Sequence, residues 1–176
     1  MMMKPKEVKS MERTLVIIKP DGVKRNLIGE IIRRYEDEGL KITAMKMLTA
    51  SKELIAKHYS EDEEYLISLG KKSEKAGDKI KDYKEQGKMI VEGMRKYMTE
   101  GPVVAMIIEG PDVIAMVRKI SGYTDPSQAD KGTIRGDYGQ DSILIANREK
   151  RPVRNLIHAS GTKDEAEKEI ALWFGK

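Results

Sequence analysis

Thr14-Leu15-Val16-Ile17-Ile18 is the stretch on which the fold turns. It is a short apolar run uninterrupted by charge, the pattern of a strand covered on both faces rather than one. It ends in Lys19-Pro20-Asp21-Gly22, where proline and the Asp-Gly pair force a turn. Lys19 is thereby placed at the C-terminal end of a central strand, a position from which side chains reach ligands. A second run of the same kind, Val103-Val104-Ala105-Met106-Ile107-Ile108, follows Gly101-Pro102 and predicts a second fully buried strand.

Between these strands, Val23, Leu27, Ile28, Ile31, Ile32 and Tyr35 recur at helical spacing, so a helix is expected with Asp21 as its cap and Gly39 at its end. Leu40, Ile42 and Ala44 alternate with polar residues, as in a half-buried antiparallel strand. Ser51 and Glu53 open a short helix through Tyr59. Residues 60 to 98 are charge-rich and helical in pattern, with Ile80, Tyr83, Ile90, Val91, Met94 and Tyr97 on one apolar face. The acidic run Glu61 to Glu64 reads as a solvated first helical turn, where the helix dipole favours carboxylates.

Gly110-Pro111 is expected to start the next helix, with proline at its first position and Arg118 near its end. Then comes Gly122-Tyr123-Thr124-Asp125-Pro126, and an aperiodic loop holding Gly132-Thr133-Ile134-Arg135-Gly136-Asp137, of the kind that wraps a charged ligand. Ile143-Leu144-Ile145 is compatible with an extra strand beside the basic cluster Arg148 to Arg151. Asn155-Leu156-Ile157-His158-Ala159-Ser160 reads as the end of a buried strand that delivers one imidazole into a cleft. Thr162 to Glu165 is a capping box for a last helix through Trp173, closed by Gly175. The sum is strand-helix-strand twice over: an α+β, split βαβ arrangement, with an antiparallel sheet and helices packed on it.

A chain of 176 residues suits one domain. We expect a flexible tail over residues 1–11 and a single domain over 12–176, with insertions near 60–96 and 138–152. Absence of cysteine excludes disulfides, thiolate catalysis and cysteine-ligated metals. No apolar run approaches the roughly 20 residues that span a bilayer, so no membrane partner and a cytoplasmic location are expected. Basic residues exceed acidic ones by only 33 to 29, which fits a salt-bridged surface and no specific nucleic acid.

Lys19, Arg118, Thr124 and Arg135 offer charge and hydrogen bonds suited to phosphate oxygens. The glycine-rich loops of P-loop enzymes and protein kinases are absent, so a phosphate-handling site needs another strategy. A histidine supplies one: its neutral ring nitrogen accepts a phosphoryl group and returns it, splitting one transfer into two. His158 is the candidate nucleophile. His58, on a charged helix, reads as solvated or structural.

Lys19-Pro20-Asp21-Gly22-Val23, His58-Tyr59, Gly101-Pro102-Val103-Val104, Thr124-x-Pro126, Gly132-Thr133-Ile134-Arg135-Gly136-Asp137 and Asn155-x-x-His158-Ala159-Ser160 together resemble the nucleoside diphosphate kinase family, in sequence and in order. The resemblance implies a ferredoxin-like fold with a four-stranded sheet and, for this chain, a helical insertion. It implies a ping-pong enzyme: a nucleoside triphosphate phosphorylates His158, which then phosphorylates a nucleoside diphosphate, ATP, GTP and GDP among the substrates. Mg2+ rides on the nucleotide phosphates, with no metal ligand from the protein.

By the same resemblance Lys19 contacts phosphate and ribose, Tyr59 stands beside the histidine, and Arg118, Thr124 and Arg135 hold phosphates. Asn155 binds sugar hydroxyls, Glu169 orients the histidine ring, and Ser160 is its neighbour. A homo-oligomer, hexamer or tetramer, is implied too. The chain departs from the family at Gly161, where an acidic residue usually stands, and over 60–96, where Tyr65 or Leu66 is the candidate for stacking on the base. The rival readings are a non-catalytic scaffold and a nucleic-acid- or nucleotide-binding module on the same fold. The apolar strands lack the aromatics that an RNA-binding sheet uses.

Overall fold

The computed structural model describes residues 11–175. The expected N-terminal tail lies outside the described residues except for Met11, which begins the first strand. Four strands, β1 (Met11–Ile18), β2 (Lys41–Leu48), β3 (Val103–Pro111) and β4 (Ile157–Ala159), form one sheet in the order β2-β3-β1-β4. Every neighbouring pair is antiparallel, the ferredoxin-like arrangement.

The reason for an uninterrupted apolar β1 is visible in where its side chains go. Leu15 and Ile17 enter one core with Ile55, Tyr59, Met98, Ala105, Ile107, Ile170 and Trp173. Val16 and Ile18 enter the other with Ile31, Tyr35, Met106, Ile108, Val117, Ile134 and Leu156. Both faces are covered, so a polar residue at any of these positions would be stranded away from water. β2 is an edge strand and is open: Met45 and Met47 are 55% and 57% exposed.

The helices are α1 (Pro20–Lys24), α2 (Ile28–Asp37), α3 (Lys52–His58), α4 (Glu63–Lys75), α5 (Tyr83–Met98), α6 (Val113–Ser121), α7 (Ile134–Tyr138), α8 (Ile143–Arg148) and α9 (Lys163–Phe174). Five expectations are corrected. The first helix is two, α1 and α2, because Asn26 takes a left-handed φ of 57° that a continuing helix excludes. Asp21 lies inside α1 and caps nothing; Lys19 holds the cap position. β3 runs on to Pro111, and α6 begins only at Val113 after Asp112 at φ 50°.

Ile143-Leu144-Ile145 is the first turn of α8 instead of a strand, because the Ser142 hydroxyl accepts from Ile145 N at 3.2 Å and starts a helix there. The aperiodic run at 132–137 likewise contains α7, capped by Thr133, whose hydroxyl accepts from Gly136 N at 3.0 Å.

The charged segment after Tyr59 forms the antiparallel pair α4 and α5, capped by Asp62 and Asp82. The pair touches backbone to backbone: a Cβ on Gly70 would lie 2.3 Å from Tyr83 O, and one on Gly87 2.1 Å from Leu66 O. The segment around α8 closes on itself through Arg151, which donates to Asp141 at 2.5 and 2.9 Å. It also leans on the α4–α5 pair, with Pro152 against Gly93 and Leu144 near Gly77.

Candidate active site

β4 pairs with β1 so that His158 lies opposite Ile17, one residue before the end of β1. Lys19 continues that contact: its N–H donates to Leu156 O at 2.8 Å. The approach to β4 is strained. Ile157 N donates to Asn155 O at 2.8 Å across Leu156, which sits at φ 72°, a γ-turn conformation rarely adopted by a branched residue. Asp21 holds this turn by accepting from Leu156 N at 3.2 Å, and is itself gripped by the Tyr97 hydroxyl. The turn brings Asn155 beside Lys19, whose Nζ donates to Asn155 Oδ1 at 2.8 Å.

His158 is half-buried, and its Nε2 meets both Glu169 oxygens at 2.9 and 3.0 Å. Ser160 Oγ donates to the same carboxylate at 2.5 Å. Burial opposes ionisation of Glu169, but His158, His58 and the Ser160 hydroxyl outweigh it and hold the pKa at about 2. An ionised Glu169 accepts Nε2–H from His158, so Nδ1 is the ring nitrogen with a free lone pair. Tyr59 is buried with its ring 6.5 Å from that of His158, and burial pushes its phenol well above the ordinary value.

The positive groups differ in setting. Lys19 is buried, and burial, then Arg135, lowers its pKa to about 8 against the pull of Asp21. Arg135 is also buried and spends three N–H groups on main-chain carbonyls: Nε on Asn155 O at 3.0 Å, Nη1 on Gly122 O at 2.8 Å, Nη2 on Ile157 O at 2.7 Å. Thr124 is exposed and its carbonyl accepts from Asn155 Nδ2 at 2.9 Å. Arg118 is exposed on the last turn of α6, beside Gly161, in an open groove of about 640 Å³ with Glu12, Asp112 and Lys163.

Lys19, Asn155, Arg135, Thr124, His158, Glu169 and Ser160 are thus linked through hydrogen bonds or adjoining β1 and β4 residues. Arg118 stands outside that network. Asn155, expected to meet sugar hydroxyls, is 3% exposed and has one amide hydrogen and an oxygen lone pair left over. Of the two residues expected to stack on a base, Leu66 is sealed in the core at 1% exposure, and Tyr65 is half-buried against the same core. Gly161 N donates to Glu165 Oε2 at 2.7 Å, so the returning half of the predicted capping box falls one residue before Thr162.

His58 is not solvated: its side chain is fully buried, with its ring 4.5 Å from that of His158. Trp173 bonds His58, and Asp21 and Leu156 build the turn, roles that no local pattern in the sequence signals. Trp173 reads from the sequence only as the end of the last helix, and φ is not written in a leucine. Among the described residues, His58, His158 and Glu169 form a metal-compatible trio, with donor atoms within 4.8 Å of one another. Its donors are already engaged, and two imidazoles suit zinc or copper better than magnesium.

The family model for "Nucleoside diphosphate kinase" matches residues 12–68 and 71–176. A protein of Pyrobaculum aerophilum named nucleoside diphosphate kinase is 47% identical over 174 residues, covering 93% of this chain and 95% of the relative. The crystal structure of an NDP kinase from the same organism superposes with a TM-score of 0.89 at 46% identity, over 94% of this chain and 96% of that one. A Borrelia burgdorferi nucleoside-diphosphate kinase, solved as a transition-state mimic with vanadate and ADP, gives 0.79 at 34% identity, over 93% and 87%. With its ferredoxin-like sheet and a histidine on β4 held by a glutamate, this chain belongs to the nucleoside diphosphate kinase family.

Proposed function

We propose that the cleft moves the γ-phosphoryl group of a nucleoside triphosphate to a nucleoside diphosphate in two steps, both through Nδ1 of His158. The observation that carries this reading is the Glu169 carboxylate on Nε2 at 2.9 and 3.0 Å, with Ser160 fixing the carboxylate in turn. Nδ1 attacks phosphorus in line, the diphosphate leaves, and the positive charge that develops on the ring is met by Glu169. The second nucleotide takes the group back by the reverse path. Lys19, Thr124 and Arg118 meet the phosphate oxygens, and Arg135 adds positive potential from beneath while holding the loop. The vanadate and ADP bound by the Borrelia relative support this chemistry for the same fold.

Magnesium would travel with the nucleotide. Glu169, the carboxylate at the histidine, is committed to His158 and Ser160, and Asp21 to Tyr97 and Leu156, so the phosphate oxygens are left to hold the ion. Initial rates at several fixed diphosphate concentrations should give parallel double-reciprocal lines. Intersecting lines would show direct transfer in a ternary complex and overturn the role of His158.

Lys19 sets a pH dependence. Its ammonium is the form that binds phosphate, and the free protein loses it as pH rises through about 8. We expect kcat/KM to fall on the alkaline side from about pH 8, and a Lys19→Gln variant to be slow without that limb. A profile flat to pH 10 would contradict this placement of Lys19.

The open edge of β2, with Met45 and Met47 exposed, supports a homo-oligomer in which a second copy covers it. Light scattering should return a hexamer or tetramer; a monomer at micromolar concentration would rule this out. No helix among the described residues is long and apolar enough to cross a membrane. That, with the lack of cysteine, supports a cytoplasmic place of action.

A further inference from the structure

His58 has no task in the two-step transfer, yet it occupies the centre of the site. Its ring packs edge-on against Tyr59, His158 and Trp173, with centroids 4.6, 4.5 and 5.6 Å away. The two nitrogens live differently. Nδ1 accepts from the Trp173 indole at 3.2 Å and also faces Glu169 Oε1 at 3.7 Å. Nε2 is buried with no hydrogen-bond partner among the described residues.

An indole N–H only donates, so Nδ1 of His58 carries no proton. Burial, then the proximity of His158, lowers the pKa of His58 to about 3, which keeps the ring neutral at ordinary pH. Its single proton therefore sits on Nε2, where nothing receives it. The opposite tautomer would put that proton on Nδ1, facing Glu169. A stranded buried N–H is unfavourable, so something must hold the ring in the worse tautomer. The Trp173 indole does so.

The consequence concerns Glu169, which lies within reach of both imidazoles. If His58 carried its proton on Nδ1, it would donate to Glu169 Oε1 and compete with His158 for the carboxylate. His158 would then lose the fixed Nε2–H that leaves Nδ1 as nucleophile. We propose that Trp173 is a positioning residue that acts through His58: the Trp173 N–H locks His58 in the tautomer that cannot bond Glu169 and so reserves that carboxylate for His158. This inference rests on the histidine mechanism proposed above.

The test uses the phosphorylation rate from ATP together with the nitrogen-15 shifts of the imidazoles. Wild-type protein should show His58 protonated at Nε2. Trp173→Phe keeps an aromatic ring but deletes the donor; His58 should change to the Nδ1–H tautomer, and phosphorylation should slow about tenfold with little change in KM. Trp173→Phe with His58→Phe removes the competing donor and leaves no unpaired indole, so most of the lost rate should return. A purely structural role for Trp173 would not produce that rescue.

A Trp173→Phe variant with the wild-type rate, or one that the second substitution does not rescue, would overturn the proposal. So would a wild-type His58 protonated at Nδ1, an outcome readable even if the variant fails to fold. If wild-type protein takes no phosphate at all, the underlying mechanism has failed instead.

Discussion

His158→Ala is expected to reduce phosphoryl exchange between nucleotides to background, a loss of roughly 10⁴-fold or more, because no neighbouring group can substitute for Nδ1. Tyr59 is buried with its phenol pushed far from ionisation, Ser160 is turned onto Glu169, and Lys19 stays cationic below about pH 8. Folding should survive. The imidazole is half-buried at the cleft, and Glu169 keeps the Ser160 hydroxyl, so the variant should lose about 1–3 kcal/mol for the weakened, partly buried carboxylate. Exchange assays and thermal melts on the same preparation check both parts. Residual turnover near the wild-type level would exclude His158 as the carrier.

Arg135→Ala and Arg118→Ala should part company, although both were read from sequence as phosphate ligands. Arg135 is buried and bonds the carbonyls of Gly122, Asn155 and Ile157, so its loss strands three acceptors and loosens the loop from β4. We expect about 3–5 kcal/mol of destabilisation, together with a fall in both nucleotide affinity and transfer rate. Arg118 is exposed and outside the hydrogen-bonded network, so its loss should weaken nucleotide binding and slow transfer while leaving the melting temperature within about 1–2 °C. Equal melting temperatures for the two variants would show that the carbonyl contacts of Arg135 contribute little.

This contrast marks how far the sequence could be read. β1 and β3 were legible because a strand covered on both faces must be apolar throughout, and Leu15 to Ile18 and Val103 to Ile108 are. His158 and Glu169 were legible through the family motif, and they lie in hydrogen-bond contact at 2.9 Å. Arg135 was identified as a cation of the site, but a guanidinium serves phosphate and carbonyl equally well, and only the fold shows which carbonyls are near.

The turn at Leu156 was invisible because a left-handed leucine obeys no local preference; Asp21, Lys19 and the β1–β4 register impose it from outside. Asp21 looked like a helix cap for the same reason, since local rules reward a carboxylate there and the distant turn claims it. The segment Ile143-Leu144-Ile145 misled because three branched or apolar residues cannot be told from a strand without knowing that Ser142 caps them. His58 misled because its helix is charged while its own side chain points into the core.

The central claim is that His158 carries the phosphoryl group between nucleotides. Protein incubated with γ-labelled ATP and no acceptor should take up an acid-labile, base-stable label on His158, and adding GDP should release it as GTP. A folded protein that stays unlabelled, or one whose label sits on another residue or does not pass to GDP, would contradict the account.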